Sequence, residues 1–106
     1  MHRIMRLIVM FDLPVETSAD QRNYRKFKKF LHINGYAMVQ YSIYSKIVMN
    51  HSALQFQKKK LQVNLPGRGH VTSLLVTEKQ FANMEQHNRP LRHEEQIDTV
   101  ERTIEL

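Results

Sequence analysis

The sequence predicts an α+β fold, a ferredoxin-like βαββαβ sandwich with an extra C-terminal strand. Runs rich in apolar, β-branched and aromatic residues recur at 3–11, 36–49 and 69–77, and two segments between them carry helical signals. Right-handed crossovers fold the order β, α, β, β, α, β into an antiparallel sheet with both helices on one face. A chain of 106 residues and 12.7 kDa has room for one core only, and at this size folding buries roughly 60–65 % of the unfolded surface. A sheet apolar on both faces but covered on one leaves a large patch, so a homodimer through the open sheet face is expected.

The first strand, residues 3–11, is a nearly continuous apolar run that suits a central position. Asp12-Leu13-Pro14 ends it, because proline has no N–H for the ladder and restricts the residue before it. Thr17, Ser18 and Asp20 are N-cap candidates for a helix reaching about Asn34, with Gly35 as the residue that turns the chain out of it. At about 100° per residue, Tyr24, Phe27 and Leu31 share one face of that helix, and Arg22, Arg25, Lys26 and Lys29 share the opposite one. No Asp or Glu is interspersed to form i,i+4 pairs with these cations.

Residues 36–49 read as two strands or one long bent one, with a break between Gln40 and Ser42. Asn50 or Ser52 caps a second helix expected to run through Leu65, where Pro66-Gly67 stops it. Leu54, Leu61 and Leu65 share one of its faces and Phe56 and Val63 lie opposite, a pattern expected of a helix touching more than one neighbour. Residues 69–77 form the fourth strand, 78–84 a turn, 85–96 a polar linker and 97–106 a late strand. The domain therefore spans 1–84, with 85–106 as a linker and tail for dimer or partner contact. Residues 97–106 either add a strand to a partner's sheet edge or form a frayed terminus.

Composition excludes several functions. There is no cysteine, hence no disulfide framework, thiolate zinc finger or thiol nucleophile. No apolar stretch approaches the roughly 20 residues of a membrane span, and no signal-peptide core is visible, which predicts a cytoplasmic location. Sixteen Lys and Arg against ten Asp and Glu give a net charge of +6. The charge is segregated: between Gln21 and Thr77 there is no carboxylate, while ten cations fall there, namely Arg22, Arg25, Lys26, Lys28, Lys29, Lys46, Lys58, Lys59, Lys60 and Arg68. From Phe81 onward acids dominate. An un-neutralised basic stretch repels itself, and a polyphosphate partner relieves that repulsion. Arg22, Arg25, Lys26, Lys29, Lys58, Lys59 and Arg68 are the candidate nucleic-acid contacts.

Only Asp12, Glu16 and Asp20 supply carboxylates in the first 77 residues. Asp12, at the end of the first strand, is either a turn aspartate or a ligand for a hard cation such as Mg²⁺, which accepts one or two carboxylates and keeps its waters. Two copies brought together across a dimer axis make the better cation site. The six histidines show no metal-binding spacing, and the Gly67-Arg68-Gly69 stretch lacks the features of a phosphate loop. The methionines are expected as core filler, and Tyr36, Tyr41 and Tyr44 in the core or a dimer contact.

Taken in order, MRLIVMFDLPVET, the basic RNYRKFKKFLHINGY, MVQYSIYSKIV and LLVTEKQFANM resemble the smaller CRISPR adaptation protein, a family labelled CRISPR-associated endoribonuclease, in its type II form. The resemblance covers about residues 5–84 and rests on Phe11-Asp12-Leu13-Pro14, on Gly35-Tyr36-x-x-Val39-Gln40-x-Ser42 and on Val76-Thr77-Glu78-Lys79-Gln80-Phe81. It implies a homodimer seated between dimers of the larger adaptation integrase subunit, which capture double-stranded prespacer DNA and insert it into CRISPR array DNA. It also implies that Asp12 matches the family's metal-binding aspartate, with Mg²⁺ or another divalent cation as cofactor. The expected function is thus a DNA-binding scaffold of spacer acquisition. Metal-dependent cleavage of RNA or double-stranded DNA is the alternative, and a toxin-like ribonuclease of similar fold a third reading.

Overall fold

A computed structural model describes residues 4–88. Seven elements follow one another: β1 (Met5–Asp12), α1 (Ser18–Ile33), β2 (Ala37–Gln40), β3 (Ile43–Val48), α2 (His51–Val63), β4 (His70–Thr77) and α3 (Glu78–Ala82). The strands form one antiparallel sheet in the order β2-β3-β1-β4, which is the ferredoxin-like arrangement. β1 lies in the middle, as its continuous apolar run requires. The tail, with its proposed linker and late strand, lies largely outside the described residues.

Local chemistry sets the helix ends. Thr17 caps α1, its hydroxyl accepting from the Asp20 amide while the Asp20 carboxylate accepts from the Thr17 amide, a reciprocal capping box. At the other end Tyr36 N–H donates to Leu31 and Gly35 N–H to His32, with Gly35 at φ +83°, a conformation that favours glycine. Asn50 caps α2, accepting from the Ala53 amide at 2.8 Å. The helix stops at Val63, two residues short of expectation, because Asn64 ends it.

Alternation along β1 sends Leu7, Val9 and Phe11 to the helix side, where Phe27 and Leu31 of α1 and Leu54 and Leu61 of α2 meet them. Each such side chain, once fully buried, contributes on the order of 2 kcal/mol. Phe11 is held by Phe27 at 5.2 Å edge-on, by Tyr24 at 6.2 Å and by Tyr44 at 5.8 Å between ring centroids. One polar pair crosses this core: Tyr36 donates its hydroxyl proton to Gln57 Oε1 at 3.3 Å.

Several expectations need correction. Residues 78–82 are a short helix rather than a turn, because Thr77 and Gln80 form a second capping box. Arg6 then reaches over from β1, bonding the Glu78 carboxylate, donating to Ser45 Oγ at 3.2 Å and stacking over the Phe81 ring at 4.1 Å. Among the described residues no second element covers Phe56 and Val63, which are 56 % and 81 % exposed, since only the inner side of α2 meets the sheet. Tyr36 and Tyr44 are core residues, whereas Tyr41 sits outside the core, exposed in the β2–β3 turn, which leaves it the dimer contact of the two expected places. Met49 and Met84 are also exposed.

Burial pushes the Tyr36 phenol up from 10.0 to about 12. An unfolded chain then loses this proton first, so the stability that the neutral phenol contributes is complete below pH 10 and lost as pH rises towards 12. The loss is about 2 kcal/mol. Denaturant melts of the parent and Tyr36→Phe across that window should show the parent declining more steeply; equal slopes would refute the assignment.

A basic helix surface and an acidic strand end

Both helices pack on one face of the sheet, so their outer sides form a single surface. Arg22, Arg25, Lys26 and Lys29 are all exposed on α1, and Lys58 and Lys59 on α2. Among the described residues no side-chain hydrogen bond or ion pair engages any of these six. The 16-residue α1 therefore carries a cationic stripe about two turns long, from Arg22 to Lys29.

The other cations are more committed. Lys60 donates to Asn34 Oδ1 at 2.8 Å, tying α2 to the end of α1, and lies 4.9 Å over the Phe56 ring. Lys28 lies 5.4 Å over the Tyr24 ring. Arg68 corrects the expectation of a wholly un-neutralised stretch. Its Nη1 donates to both oxygens of Asp20 at 3.1 Å, and that carboxylate is 4 % exposed. Asp20 thus serves twice, as the capping carboxylate of α1 and as the anchor for the loop before β4. The Arg68 side chain is 64 % exposed, so its outer edge still faces solvent.

Asp12 stands on the other side of the sheet. Because Phe11 is locked into the aromatic cluster beneath the helices, the next residue must point to the open face. Its carboxylate is exposed and, among the described residues, has no hydrogen bond or ion pair. Two elements converge on it. The β2–β3 turn is tied to β1 by the Phe11 amide, which donates to the Ser42 carbonyl at 3.0 Å. From the opposite edge, β4 begins at His70, directly opposite Asp12 in the register. Met10, Asp12, Tyr41, Ser42, His70 and Thr72 together line a shallow depression. One exposed carboxylate with hydroxyls around it and room for water is a donor set that fits a hexahydrated hard cation losing one or two waters. Among the described residues no three His, Asp or Glu side chains gather, so these residues do not by themselves supply the donors of a two-metal centre.

The basic stripe and Asp12 therefore occupy opposite faces of the sheet layer, a separation that the sequence did not reveal. The open face also carries Leu74 at 52 % and Ile47 at 45 % exposure, with Met10 and Ile43 partly covered beside them. No described helix is long and apolar enough to cross a membrane.

With this geometry established, the comparisons with known proteins are consistent among themselves. The family model described as CRISPR associated protein Cas2 matches residues 5–84. The chain is 46 % identical over 80 residues to a CRISPR-associated endoribonuclease Cas2 of Ligilactobacillus salivarius, covering 76 % of this chain and 79 % of the relative. It is 49 % identical over 80 residues to the protein of that name in Streptococcus mutans serotype c, covering 76 % and 73 %. The identity is also 49 % over 80 residues to the one in Acidovorax ebreus, covering 76 % and 78 %.

Proposed function

The chain belongs to the CRISPR associated protein Cas2 family, and from that premise we propose that it is a dimeric DNA-binding scaffold of CRISPR spacer acquisition. In that role it grips prespacer duplex through phosphates alone, in company with the larger integrase subunit. The observation that carries this reading is the separation of the two sites. The unengaged cations of α1 and α2 lie on the helix layer, and Asp12, among the described residues the uncommitted acid at a strand end, lies across the sheet. A phosphate held by Arg22, Arg25 and Lys29 is not presented to Asp12 of the same protomer. Phosphate contacts position a duplex without reading its sequence, which suits a protein that must accept any invading DNA.

Dimerisation uses the open sheet face, where Leu74 and Ile47 are the exposed apolar residues. Leu74→Asp places a charge in that contact, so sedimentation should find monomers; a persistent dimer would move the interface elsewhere. A metal-dependent nuclease is the second reading, favoured by the exposed and uncommitted Asp12 carboxylate. A bound divalent cation would supply charge neutralisation at a scissile phosphate, and Asp12 would hold it. Asp12→Asn separates the two. For a scaffold, duplex binding and spacer acquisition persist while any cleavage by the isolated protein disappears. Loss of acquisition with binding intact would make the acid's chemistry essential and end the purely structural role.

A further inference from the structure

We infer that His70 completes a two-residue chelate with Asp12, and that this chelate prefers a first-row transition-metal dication, with Zn²⁺ as its probe, over Mg²⁺. The inference rests on the reading of Asp12 as a cation ligand and extends it. The two residues before His70 fix the course of the backbone that delivers it. Arg68 is fixed to the buried Asp20 carboxylate by two 3.1 Å contacts. Gly69 follows at φ +92°, and a Cβ there would lie 2.5 Å from the Asp12 carbonyl oxygen and 3.0 Å from Leu13 Cα. The backbone of the loop is thus pressed against the backbone of Asp12 itself. His70 comes next, first residue of β4 and registered opposite Asp12.

Directly opposed residues of an antiparallel pair share a face, with Cβ atoms roughly 4.5–5.5 Å apart. That spacing allows one carboxylate oxygen and one imidazole nitrogen to meet a common ion. Both side chains are exposed, and among the described residues neither makes a hydrogen bond or ion pair that would have to be broken. The donor chemistry sets the preference. Imidazole nitrogen adds little for Mg²⁺, which takes oxygen ligands, but suits zinc and its neighbours. With only two protein donors, the other coordination positions go to water or phosphate oxygen.

The purified protein is titrated with Zn²⁺ and, separately, with Mg²⁺ at about pH 8, where an ordinary imidazole is neutral. Calorimetry gives the affinities, and ring resonances of ¹⁵N-labelled histidine report which of the six histidines responds. Zn²⁺ is expected to bind at least about tenfold more tightly than Mg²⁺, with the His70 ring shifting at the lowest metal concentration. His70→Asn should bring Zn²⁺ down to the Mg²⁺ level while leaving Mg²⁺ unchanged, and Asp12→Asn should weaken both. Zn²⁺ affinity indifferent to His70→Asn, or another histidine shifting first, overturns the chelate. Mg²⁺ affinity indifferent to Asp12→Asn, with Zn²⁺ still sensitive to both substitutions, upholds the chelate and overturns the Mg²⁺ reading of Asp12.

Discussion

Replacing Arg22 and Arg25 together by glutamate should strengthen the fold and weaken the hold on DNA in the same protein. Arg22 and Lys26, and Arg25 and Lys29, are like charges four residues apart on the exposed side of α1. Such pairs destabilise a helix by about 0.2–0.5 kcal/mol each, and Glu placed four residues before Lys reverses the sign. The double variant therefore gains on the order of 1 kcal/mol, read as a higher midpoint in urea. Binding moves the other way. Each phosphate contact contributes roughly −0.9 to the slope of log affinity against log salt, so losing two flattens it by about 2 units and lowers affinity by at least an order of magnitude at moderate salt. The introduced glutamates also repel phosphate. Because stability and binding change in opposite directions, unfolding cannot account for the result. Unchanged binding with an unchanged salt slope would remove α1 from the interface.

Gly69→Ala should be the most damaging single-methyl change in the described part of the chain. The new Cβ would meet the Asp12 backbone oxygen at 2.5 Å and the Leu13 side chain at 2.8 Å, in a φ that L residues rarely adopt. Backbone cannot rotate aside as a flexible side chain does, so the start of β4 must move away from β1. A cost of about 2–4 kcal/mol is expected, together with altered amide resonances at Asp12 and His70. Gly67→Ala is the control: nothing lies within 4 Å of a Cβ there and its φ is not in the left-handed range. It should be nearly neutral. Equal stability of the two variants would show that the loop yields freely and that it does not hold His70 against Asp12.

Much of this protein was legible locally. Caps and stop signals act within four residues, so the caps fall among the candidates the sequence offered, Thr17 for α1 and Asn50 for α2, and Gly35 ends α1 as expected. The turn at Tyr41-Ser42 falls inside the predicted break, although Ser42 takes φ +66° without a glycine. The short α3 was missed because its signal, Thr77 with Gln80, sits on the end of a strand and reads as the start of a turn. The exposure of Phe56 and Val63 was missed for a different reason. Periodicity says which residues share a helix face but not whether anything covers that face.

The sequence by itself determined the ferredoxin-like order of elements, the basic face of α1 and the isolation of Asp12 among few acids, because periodicity, capping and charge are properties of neighbouring residues. Only the tertiary structure decided that Arg68 is spent partly on Asp20, that His70 stands opposite Asp12, and that the basic stripe and the strand-end acid look away from each other. Those three facts depend on strand register and on which face each helix covers, and register joins residues far apart in the chain (Asp12 and His70, Asp20 and Arg68) that no local pattern connects.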